Sequence, residues 1–148
     1  MSDLKNTTVE CGVVTLEIPA RYSFLRIVRQ AVSAVSVHAG ISEFRAAELE
    51  MAVDEVCSRI VETRTAQQMG NVPIRISLIQ ESDRVVVEFS SVSPDVGFNE
   101  NDGIQPETID TQTSLNDLRS YVVKRFVDTL DIQPGAGRDF SLRLTKIL

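Results

Sequence analysis

The 148-residue chain has no tryptophan, two tyrosines and six phenylalanines, so stacking platforms for nucleotide bases are poorly supplied. It has no run of four basic residues, and 21 acidic against 15 basic side chains leave a net charge of −6. That argues against nucleic acid or an anionic membrane as a main partner. No apolar run approaches the length of a membrane helix. The opening MSDLKNTTVE has no apolar signal core. The two cysteines, Cys11 and Cys57, lie in unlike contexts with no metal-ligand spacing, which predicts a reducing, cytoplasmic setting and no metal site. One histidine, His38, leaves no Ser-His-Asp arrangement to argue. There is no internal repeat.

What is present is an apolar content of 43%, enough for one domain with a real core. Residues 1–8 are polar and predicted to be flexible; 9–148 form a single domain. Its centre is Glu43–Thr63, where Leu49, Val53, Val56 and Ile60 recur at helical spacing. Ser42 precedes it as a cap, and Glu43 suits the positive end of the helix dipole. Beside the core face a charged face carries Glu55, Arg59 and Glu62, with Glu55 and Arg59 placed to pair along the helix. Cys57, next to Val56, reads as a small buried hydrophobe.

Around that helix the pattern predicts a strand over 9–18 with Gly12 as a bulge, and a helix from Tyr22 to His38 closed by Gly40. His38 reads as a hydrogen-bonding partner in that helix's last turn. A hairpin of Ile74–Gln80 and Val85–Phe89 comes next, then a long polar loop over 90–114 and a helix from Leu115 to Leu130. Two last strands, near 131–133 and 140–147, flank a Gly-rich turn at Gly135 and Gly137. This order predicts a two-layer α/β (α+β) sandwich, with a mainly antiparallel sheet and three helices on one face.

Four segments carry a family resemblance. They are Leu16–Ala20, the run ELEMAVDEVC from Glu48 to Cys57, the loop after Phe89, and Val127–Leu130 through Gly135 and Gly137 to Leu142–Lys146. Together they resemble the anti-sigma-factor serine kinases, the small bacterial branch of the histidine-kinase-like (GHKL) ATPase fold. The resemblance implies that Glu55 is the catalytic base and that position 59 holds Mg²⁺ through an asparagine. Here the residue is Arg59, whose guanidinium has donors and no acceptor. An arginine there could instead meet phosphate directly. The resemblance also implies an aspartate and two glycines around adenine. One register places Ser91, Ser93 and Asp95 there; the other places Asp95, Gly97 and Asn99. The glycines expected to cradle phosphate at the start of the third helix fall on Asp117 and Arg119.

With those features altered, the resemblance implies a regulatory protein-binding module without ATP binding or kinase activity, and without a cofactor. The alternative is an ATP- and Mg²⁺-dependent serine kinase phosphorylating a small antagonist protein; the kept Glu55 and the lid-like loop favour it. The family's partners are an alternative sigma factor and that antagonist, and its members form homodimers. Arg21, Arg26 and Arg29 on the first helix, and the edge of the first strand, are the expected protein-binding surfaces.

Overall fold

A computed structural model describes residues 11–98, 115–135 and 137–148, with backbone alone for 115–118. Five strands form one sheet in the order β1-β2-β3-β5-β4: β1 Gly12–Ile18, β2 Ile74–Gln80, β3 Arg84–Val92, β4 Thr129–Pro134 and β5 Phe140–Ile147. All four described pairings are antiparallel. Three helices, α1 Leu25–Ala39, α2 Glu43–Ala66 and α3 Leu115–Phe126, pack on one face. The expected architecture is therefore present, and no helix among the described residues is long and apolar enough to cross a membrane.

Alternation decides which face of the sheet is covered. Ile74, Ile76 and Leu78 of β2, Val85, Val87 and Phe89 of β3, and Leu142 and Leu144 of β5 are all buried beneath the helices. The other face is held by cross-strand ion pairs, Glu17 with Arg75 at 3.3 Å and Glu88 with Arg143 at 2.5 Å. Leu49, Val53, Val56 and Ile60 of α2 meet Leu25, Val28 and Val32 of α1 in the same core. Each such buried side chain contributes roughly 1.5–3 kcal/mol.

Local signals set the ends of these elements. Ser42 Oγ accepts from Arg45 N at 3.3 Å and caps α2 as expected. Gly40 closes α1 at φ 92°, where a side chain would be strained. His38 Nδ1 lies 2.8 Å from Gln80 Oε1. The first helix begins as a 3-10 turn at Tyr22–Phe24, and α2 runs on to Ala66 rather than stopping at Thr63. Gly12 pairs in register with Gln80 and is no bulge.

The irregularity lies instead in β3. Phe89 faces Leu142 and Val92 faces Phe140, so β3 spends one residue more than β5, and Ser91 takes φ 55°. A bulge of this kind bends a strand and re-aims the chain beyond it. Here it lengthens β3 to Val92 and turns the chain into a 3-10 turn at Pro94–Val96, beside α2. β4 also starts earlier than the pattern suggests, at Thr129, shortening α3 to Phe126. The predicted flexible residues 1–8 and most of the 90–114 loop lie outside the described residues.

Candidate functional site

α2 is the middle helix, with α1 on one side and α3 on the other, so the side read as its charged face is enclosed at Arg59 and open at Glu62. Arg59 is only 5% exposed. Its Nη1 donates to Ser120 Oγ on α3 at 2.9 Å, and its guanidinium lies 3.9 Å from the centroid of Phe98. Gly97, at φ 86°, passes so close that a Cβ there would stand 2.7 Å from Arg59 Nη2. The expected Glu55–Arg59 pair is thus replaced. Arg59 is drawn to α3 and Phe98, a stacking and planar donor geometry that guanidinium suits.

Glu55 is engaged by a different arginine. Arg119 Nε donates to Glu55 Oε1, while its Nη1 and Nη2 reach Glu62 at 2.9 and 3.1 Å. Arg119 thereby ties α3 to two turns of α2. Its hydrogen bonds hold the Glu62 carboxyl below the usual glutamate range and raise the Arg119 guanidinium above its own. Tyr22 Oη adds a bond to Glu62 at 3.3 Å, and partial burial raises its phenol, with the Glu62 charge adding to the effect. One oxygen of the Glu55 carboxylate, Oε1, thus faces a fixed cation.

Asp95 sits on the 3-10 turn after the bulge. Its carboxylate accepts from Gln67 Nε2 at 2.7 Å, and its amide donates to Ser93 Oγ at 3.2 Å. A cavity of about 300 Å³ opens beside it, lined among others by Ile60, Thr63, Ser91, Val96 and Arg138. Such a space is at the lower limit for a small-molecule site. Arg64 is buried beneath the α2 terminus, where it donates to the carbonyls of Val72, at 2.7 Å, and Pro73; burial lowers its pKa. Burial likewise pushes the Cys57 thiol well up, and its place in the core is that of a small hydrophobe.

Residues 18–146 match the histidine kinase-like ATPase domain. The chain belongs to that family. Within it, the chain is similar to serine-protein kinase RsbW of Bacillus licheniformis, 24% identical over 140 residues that cover 91% of this chain and 85% of the relative. The RsbW of Bacillus velezensis is 25% identical over 138 residues with the same coverage, and that of a Bacillus cereus strain 22% over 127 residues.

In this histidine kinase-like domain the residues singled out from the sequence fall in separate places. Glu55, Arg59, Gly97 and Arg119 come together between α2 and α3. Asp95 stands one step away, by the cavity. Asp117 belongs to the backbone-only turn of α3, and its side chain lies outside the described residues. Arg21, ahead of the 3-10 turn, and Arg26 on α1 are exposed, whereas Arg29 pairs with Asp54 at 2.7 Å and offers less free charge than its sequence position suggests. Phe98, Ser120 and Gln67 were missed. Their roles depend on contacts between residues 28 to 61 positions apart, which no local pattern carries.

Arg59 and Arg119 bring donors and positive charge where a divalent cation needs oxygen acceptors, and Glu55 already faces a cation.

Proposed function

We propose that the chain is a regulatory module that acts by binding other proteins, as an anti-sigma factor does, and that its nucleotide chemistry is blocked. The observation that carries this reading is the pair of arginines at the α2–α3 seam. Phosphoryl transfer rests on positioning and on stabilising phosphate charge around Mg²⁺. Arg59 brings donors where a metal would need an acceptor, and Arg119 holds one oxygen of the carboxylate that would take a proton. The partners consistent with the relationship are a sigma factor or a small antagonist protein, met by a self-associated form of the chain.

The second reading is an ATP-dependent serine kinase. Two observations favour it: the relatives are named serine-protein kinases, and a cavity stands beside Asp95. The names of the relatives weigh more toward this reading than toward the first; the side-chain geometry weighs the other way.

Calorimetry with Mg²⁺ and ATP separates them. The first reading expects no saturable heat at millimolar nucleotide and no phosphate transfer to serine. Arg59→Asn combined with Asp117→Gly should move the protein toward binding if the site is merely eroded. Saturable binding by the unaltered protein at micromolar nucleotide, with transfer lost and binding kept in Glu55→Ala, would establish the kinase instead.

A further inference from the structure

The solvent side of α2 changes character along its length. Toward its C-terminal end stand half-buried Ser58 and exposed Glu62, the kind of residues a helix turns to water. At the start of the same side, Phe44, Ala47 and Met51 follow one another at steps of three and four. Phe44 is 76% exposed and Met51 53%. The core contacts of this half of the helix are already made by Ala46, Leu49, Ala52 and Val53, all buried. Phe44 and Met51 are thus surplus to the packing of the domain itself.

Acids border this apolar strip on both sides. Glu43, Glu50 and Asp54 run along its α1 side at steps of seven and four, and Glu48 flanks it on the other. Asp54 is met by Arg29 and Glu48 by Lys146 at 3.0 Å, whereas Glu43 and Glu50 have no ion pair among the described residues. Arg45, the one base between Glu43 and Asp54, turns to Asp128 at 3.3 Å. Partial burial raises the Glu50 carboxyl above the usual glutamate range, with the Arg29 charge pulling the other way.

We propose that this strip is the docking face for a basic amphipathic helix of another protein, with that helix's apolar stripe on Phe44, Ala47 and Met51 and its Lys or Arg residues over Glu43 and Glu50. The proposal rests on the protein-binding reading above and gives it a surface and a partner chemistry. Small Ala47 between two large side chains leaves a notch into which a ridge of the incoming helix fits. Charge decides among the occupants. A second copy placed here by a two-fold axis would set acids against acids. Residues 99–114 of this chain carry four acids and no base, so the same repulsion keeps them off. A basic helix gains both the apolar contact and the pairing, and a net charge of −6 steers it in.

The test uses the full chain and two synthetic peptides of about 18 residues, one repeating leucine and lysine at helical spacing, the other with glutamate for every lysine. Amide NMR of labelled protein locates binding, and fluorescence anisotropy measures it. The lysine peptide is expected to shift the amides of residues 43–54 most and to bind more weakly as salt rises. The glutamate peptide should leave the spectrum unchanged. Phe44→Ser and Met51→Ser should each weaken binding about tenfold, and Met69→Ser should not. All three side chains are exposed, so circular dichroism should be the same throughout. Shifts centred elsewhere, equal binding of both peptides, full affinity in both variants, or no binding at all overturns this face and leaves the protein-binding reading standing. Saturable Mg²⁺-ATP binding overturns that reading whatever the peptides do. A concentration-dependent mass that Phe44→Ser abolishes would give the strip to a second copy, and amide shifts at Phe44 and Met51 on deleting residues 1–10 would give it to the chain's own N-terminal segment; either result refutes the proposal.

Discussion

Removing the Arg59 side chain tests the arrangement at the α2–α3 seam most directly. Arg59→Ala deletes a buried hydrogen bond from a charged donor to Ser120, worth about 1.5–3 kcal/mol. It also deletes the stacking on Phe98, worth about 2 kcal/mol in a desolvated setting. Against these stands the relief of holding a guanidinium at 5% exposure, which offsets part of both. The expected net loss is about 2–4 kcal/mol. For a chain of this size that lowers Tm on the order of 10 °C. Urea and thermal denaturation measure it, with exposed Arg26→Ala expected within about 0.5 kcal/mol of the unaltered protein. Gly97 sharpens the test. Gly97→Ala meets both backbone strain at φ 86° and the Arg59 guanidinium at 2.7 Å, whereas in an Arg59→Ala background only the strain remains. The two changes should therefore couple, with the pair costing less than the sum of the singles. An Arg59→Ala protein as stable as the parent, or strictly additive changes, would refute the idea that Arg59 joins α2, Gly97–Phe98 and α3.

Two further outcomes are expected. The Glu62 carboxyl, lowered chiefly by its hydrogen bonds from Arg119, should contribute stability that is present above the ordinary glutamate pKa of about 4.3 and is lost as pH falls through its lower folded value. With Glu62 about half exposed, the contribution should stay under about 1 kcal/mol, and Glu62→Gln should remove it, as urea melts between about pH 3 and about pH 6, a window that spans the ordinary glutamate value, would read. Thiol titration of the native protein should find Cys11 reactive and Cys57 silent until denaturant is added, because Cys11 is exposed while burial raises the Cys57 thiol; native labelling of Cys57 would contradict its place in the core.

Much of the fold was legible in local pattern. The alternation of Ile74, Ile76 and Leu78 marked β2 with its correct buried face, and Ser42 and Gly40 marked helix ends, because period and capping are properties of neighbouring residues. The family relationship was legible in the spacing of the α2 run and the closing strands. The bulge at Ser91 was not, since it depends on how β3 meets β5. Nor was the placing of Asp95 beside Gln67 and of Gly97 beside Arg59, contacts between residues far apart in the chain.

The amino-acid sequence by itself determined that α2 would present an apolar stripe and that Glu55, Arg59 and Arg119 would be available as charges. Only the tertiary structure decided how they are matched. Neighbours along a helix favoured Glu55 with Arg59, but α3 packs against that face and brings Arg119 to Glu55 and Ser120 to Arg59. The physical reason is burial. An exposed helical pair is worth only a few tenths of a kcal/mol, so once α3 and Phe98 exclude water from Arg59, a hydrogen bond and an aromatic face inside the seam outweigh it.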